Sequence, residues 1–169
     1  MDDAQQQDFA QMASPGNEHE RLKPFEGTFK AEVRIWMGPG DPQVSTGTLV
    51  SSWDLGGRFL RQDYKGDQAD GPFPDFEGRG YWGYNKLSGQ YEGMWIDNAS
   101  TVMQTEAGGV DESGKVWTMV GEMPNPQGEG TMTKRSVITL EDDDHHSMEM
   151  YFSSPEGEFK AMEIKYQRA

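Results

Sequence analysis

The chain contains no cysteine. That absence removes disulfides, thiol nucleophiles and thiolate metal sites together. No stretch approaches the ~18 consecutive apolar residues that a membrane-spanning helix needs. Cationic side chains are scarce, 15 Lys and Arg against 29 Asp and Glu, which leaves a formal net charge of −14. A field of that sign repels phosphate backbones and anionic lipid surfaces, so neither nucleic acid nor a membrane is expected as a partner. The opening residues, Met1 to Asp8, are acidic and polar. They lack the basic start and apolar run of a secretory leader, so a cytoplasmic location is expected. Hydrophobic residues make up only 34% of the chain, yet they include five Trp, six Tyr, eight Phe and eleven Met. Side chains that large bury enough area each to build one ordinary core.

Residues 1–15 read as a flexible tail ahead of a single domain over 16–169. Asn17 is placed as the cap of a short helix, with Glu18 and Glu20 on its positive first turn and Leu22 turned inward as a plug. From Gly27 the hydrophobic period changes to two. Phe29, Ala31, Val33 and Ile35 alternate with Lys30, Glu32 and Arg34, the pattern of a half-buried strand. Similar segments follow at 44–53, 58–65, 76–84, 90–97, 101–107, 115–123, 131–140, 146–153 and 159–167, separated by Gly-, Pro-, Asn- and Asp-rich turns. No connection has the length and periodicity of a crossover helix, so the sheet is expected to be antiparallel. The fold expected is all-β, an up-and-down antiparallel barrel of about ten strands with a short N-terminal helix; a two-sheet sandwich is the competing architecture.

The segment Glu18-His19, Leu22 and Phe25-Glu26-Gly27-Thr28-Phe29 resembles the opening of calycin-type barrels, with Phe29 where those barrels carry Trp. Together with Gly56-Gly57-Arg58-Phe59-Leu60, Gly83-Tyr84-Asn85, Trp95-Ile96-Asp97 and Met148-Glu149-Met150-Tyr151, the chain resembles a bacterial family, domain-of-unknown-function family fifteen seventy-nine, over about residues 16–167. The resemblance implies a lipocalin-like barrel and no established reaction. In a haem-binding cousin among ten-stranded barrels, a His near the C-terminus ligates the iron. Here no His follows His146, so no haem is expected.

No cofactor is expected. A structural zinc needs about four N or S ligands, and three His with two adjacent do not supply them. His145 and His146 adjoin Glu141 to Asp144, but successive residues of an acidic turn point apart into water. His19 reads as a brace on the N-terminal helix. No nucleophile elbow, phosphate loop or zinc-protease motif is present. The aromatic and Met residues in strands suit a barrel interior that holds one small, largely apolar molecule. Trp95, Trp117 and Met119 are placed in its lining. Asp97, Glu122 and Glu149 are the strand carboxylates considered for the interior. Arg135, on a face shared with Val137 and Thr139, is placed as its polar anchor, suited to the carboxylate of a fatty-acid-like or aromatic acid, with an outward Arg135 on the acidic surface as the competing placement. On the ninth strand, alternation sets Met148, Met150 and Phe152 inward, with Glu149 and Tyr151 on the other face. Two other readings stand beside binding: an enzyme acting through inward carboxylates and Arg135, and a barrel that docks other proteins.

Overall fold

The computed structural model describes residues 2–126, 128–155 and 157–169. Ten strands follow a short helical N-terminus: β1 Gly27–Ile35, β2 Gln43–Asp54, β3 Phe59–Gly66, β4 Glu77–Asn85, β5 Gln90–Asp97, β6 Gln104–Val110, β7 Val116–Pro124, β8 Thr131–Leu140, β9 His145–Ser154 and β10 Gly157–Arg168. Each pairs antiparallel with its neighbours in sequence, and β1 pairs with β10, which closes the ring. Val33 therefore faces Ser45 on one side and Ile164 on the other. The expected up-and-down barrel is the architecture found, and the sandwich is not.

Alternation decides which side chains enter the barrel. Along β1, Phe29, Ala31 and Val33 are buried while Thr28 and Lys30 are exposed. The same two-residue period puts Met148, Met150 and Phe152 of β9 inside, as expected. Glu149 and Tyr151 face out, where Tyr151 Oη donates to Glu149 at 3.0 Å and Lys160 pairs with the same carboxylate. A bulge between Lys160 and Met162 shifts the β9–β10 register, so that Phe159 opposes Phe152 and Met162 opposes Met150.

One end of the barrel is plugged by the N-terminal segment. Helix α2 (Asn17–Glu20) and a 3-10 turn (Lys23–Phe25) drive Leu22 and Phe25 into a cluster with Leu60, Trp82, Tyr91 and Trp117. Both side chains are at most 1% exposed. The plug is tied down by polar contacts: Tyr91 Oη donates to the Glu18 carbonyl at 3.0 Å, and the Arg168 guanidinium donates to the carbonyls of Pro24 and Glu26 at 2.9 and 2.8 Å. The cap of α2 is Gly16 and not Asn17; the Gly16 N–H donates to Nδ1 of buried His19 at 3.0 Å, so the ring takes the part that an N3 Glu or Gln plays in reaching back to the cap N–H.

Residues 3–13 form a second helix, α1, where a tail was expected. Asp2 and Gln5 make a reciprocal capping box, and the Ala- and Gln-rich segment favours helix. None of its residues is buried. Its last turn is held by Arg58, which donates to the Ala13 carbonyl at 2.8 Å, and Lys86, which donates to that of Gln11 at 3.0 Å. No helix is long and apolar enough to cross a membrane among the described residues.

Candidate functional site

Above the plug lies a cavity of about 520 Å³, within the range of small-molecule sites. Phe25, Trp82 and His146 form its floor. Val33, Leu49, Met148, Met150, Met162 and Ile164 supply much of its apolar wall. The β3–β4 loop leans over the open end, with Pro72, Phe73 and Phe76 against the cavity. The wall is kept thin where a bulky ring must fit. A Cβ at Gly78 would land on Cζ2 of the Trp95 indole, and one at Gly80 would come within 2.8 Å of its Cε3. Two glycines on β4 thus let Trp95, projecting from β5, lie flat along the barrel wall.

The polar side of the cavity is a cluster from β6 and β8. Lys134 Nζ lies 3.1 Å from Glu106 Oε2 and donates to Gln104 Oε1 at 3.2 Å; Ser136 Oγ donates to Glu106 Oε2 at 2.8 Å. The lysine side chain is 7% exposed and the glutamate 17%. Strand β7 runs between them, and the pair meets because Gly121 sits opposite Lys134 without a side chain to block the path. A Cβ at Gly121 would lie 3.4 Å from Glu106 Cα and collide with the Thr105 carbonyl. In so dry a setting the two charges are tolerable only together, since either alone would forfeit its hydration uncompensated.

One imidazole and two phenols of the interior are held neutral. Burial, reinforced by the Arg168 charge, pushes the His146 imidazole down to about 3. Its ring stacks on Tyr166 and meets Phe25 and Phe29 edge-on. Burial also raises the phenol of Tyr64 to about 12 and that of Tyr166 upward. These phenols stay protonated across ordinary pH.

The residues expected at the site divide. Trp95 and Asp97 line the cavity; Asp97 Oδ2 accepts from Trp95 Nε1 at 3.0 Å and Oδ1 from the Ala99 N–H at 3.1 Å. Trp117 and Met119 point inward but pack in the floor cluster with Phe25 and Leu60, outside the lining. Glu122 is exposed on the outer face of β7. Arg135 also faces outward, where it pairs with both carboxylate oxygens of Glu158 at 2.9 and 2.5 Å and lies over the Tyr151 ring at 4.3 Å. The expected anchor is displaced by one residue: Lys134, Ser136 and Ile138 are the buried face of β8. A one-residue change of phase reverses every side chain on a strand. With Arg135 and Glu122 outside, they cannot work with Asp97 on a molecule held inside. His145 and His146 diverge, but only His145 meets the expectation of a side chain in water: it turns toward Asp142 at the surface, whereas His146 is buried in the floor.

The molecule is thus a closed ten-stranded barrel with a plugged floor and a partly polar interior. The chain belongs to the family described as Protein of unknown function (DUF1579), whose model matches residues 14–168. A comparison with curated proteins gave no match. Among solved structures, the chain is similar to Rv2717c from M. tuberculosis, with a TM-score of 0.63 at 16% identity, over 92% of this chain and 99% of that one. At that identity the likeness establishes the shared barrel fold.

Proposed function

We propose that the barrel interior binds a small, largely apolar molecule. The observation that carries this reading is the cavity of about 520 Å³, sealed below by Phe25 and Trp82 and lined mainly by aliphatic, Met and aromatic side chains. A domain that only needed a core would fill that space, because an empty apolar volume forfeits packing contacts. Met148, Met150 and Met162 give the wall adaptable surfaces, and the β6–β8 cluster supplies the few polar groups that orient a ligand.

The test is a titration with the neutral apolar fluorophore N-phenylnaphthylamine. The wild type is expected to bind it saturably at one site. Met150→Trp adds volume inside the cavity and is expected to weaken binding at least about tenfold, or ~1.4 kcal/mol. Arg135→Met, outside the wall, is expected to leave binding unchanged. Equal binding by wild type and Met150→Trp would move the site elsewhere.

A further inference from the structure

The cavity's polar cluster presents its two charges as a closed pair. Lys134 is the interior cation of the cluster, and it is already engaged by Glu106 and Gln104. Asp97, nearer the open end, is likewise satisfied, with both oxygens accepting hydrogen bonds. What the pair leaves over is a neighbouring donor and acceptor. One ammonium proton is committed to Gln104 and the Glu106 charge lies 3.1 Å away, which leaves the ammonium able to donate to an incoming oxygen. Glu106 Oε2 accepts from Ser136 and pairs with the Lys134 charge, while no donor among the described residues reaches Oε1. Gly93 lies opposite Glu106 on β5, so no side chain covers the carboxylate from that direction.

We infer that the interior selects molecules with an uncharged head that both donates and accepts hydrogen bonds, such as an alcohol or amide, over carboxylates and amines with the same apolar tail. The inference rests on the interior being a binding site. A hydroxyl placed between Glu106 Oε1 and Lys134 Nζ satisfies both and leaves the ion pair intact. A ligand carboxylate there would lie against Glu106, and it would gain Lys134 only by leaving Glu106 buried and unpaired. A ligand ammonium meets the mirror-image penalty against Lys134. Charges out of water in such a setting cost several kcal/mol unless fully compensated, whereas a neutral head costs far less.

The experiment compares decanol, decanoate and decylamine at neutral pH, following the tryptophan fluorescence of Trp82 and Trp95 at the cavity wall. Wild type is expected to bind decanol at least about tenfold more tightly than either ion. Glu106→Gln removes the counter-charge and is expected to turn the preference toward decanoate; Lys134→Met is expected to turn it toward decylamine. An ion bound more tightly than decanol by wild type overturns the inference and leaves interior binding standing. No binding of any of the three compounds defeats interior binding itself. A Glu106→Gln protein with native near-ultraviolet circular dichroism and no gain for decanoate also overturns the inference. Should both variants fail to fold, the wild-type ranking alone decides.

Discussion

Removing the Phe25 ring tests whether the N-terminal segment is a structural plug or only a cover. Phe25 is 1% exposed, and its ring centroid lies 4.9 Å from that of Trp82, 5.2 Å from Trp117 and 5.0 Å from His146. Phe25→Ala forfeits the transfer of the ring out of water and three aromatic contacts, and leaves a void that a closed barrel cannot collapse to fill. Buried Phe-to-Ala changes cost ~3–5 kcal/mol. Phe25 borders a cavity already, so its loss enlarges an existing space more than it creates a sealed one, which favours the lower end, about 3 kcal/mol. With a urea dependence of ~2 kcal/mol per molar, the unfolding midpoint read by circular dichroism is expected to fall by about 1.5 M. Phe9→Ala, on α1 with the side chain 65% exposed, is the control and is expected to stay within ~0.5 kcal/mol of wild type. A loss below ~1 kcal/mol for Phe25→Ala, or an equal loss for Phe9→Ala, would refute the plug.

Two further outcomes follow from the same geometry. His146 is held near 3 when folded and titrates near 6.5 when unfolded, so below about pH 6.5 the unfolded chain binds a proton that the folded chain refuses. Stability from this source is complete above that pH and is lost as pH falls toward about 3, amounting to about 2 kcal/mol by pH 5; urea melts at pH 7 and pH 5 are expected to show a smaller drop for His146→Leu than for wild type, and an identical drop would contradict the assignment. Gly78→Ala forces the Trp95 indole off the wall and into the cavity, so Trp95 fluorescence should shift and N-phenylnaphthylamine binding should weaken; unchanged binding with the fold intact would show that the ring has room elsewhere.

Much of this was legible in the chain itself. Where a strand alternates strongly, as in β1 or across Met148, Met150 and Phe152, its inward face could be read directly, and the short turns gave the up-and-down order. On β8 the pattern is ambiguous. Lys134 and Arg135 are adjacent cations, and Val137 competes with Ile138 for the interior, so one strand alone does not set its phase. The phase is set by neighbours: Trp117 opposes Ile138 and Gly121 opposes Lys134, and an open lane at Gly121 has value only once Glu106 is known to lie beyond it. The pairing of Glu106 with Lys134 joins strands that are not adjacent in the ring, which no local period records. Helix α1 buries no residue, so no apolar stripe marks it, and its signal in the chain is the Asp2–Gln5 capping box.

The seam between β1 and β10 makes closure of the ring depend on β10. Hairpins β2–β3 through β8–β9 are contacts between sequence neighbours and can form as the chain emerges, but Phe29 finds Arg168 only after β10 has been made. Until Gly157–Arg168 inserts, the nascent sheet is an open ribbon with two unpaired margins and nothing that can be called an inside. Arg168 then fastens the plug by gripping the Pro24 and Glu26 carbonyls, so the same residue that completes the wall also latches the floor. Clipping β10 would therefore not trim the barrel. It would return the chain to an open ribbon that exposes two sticky edges.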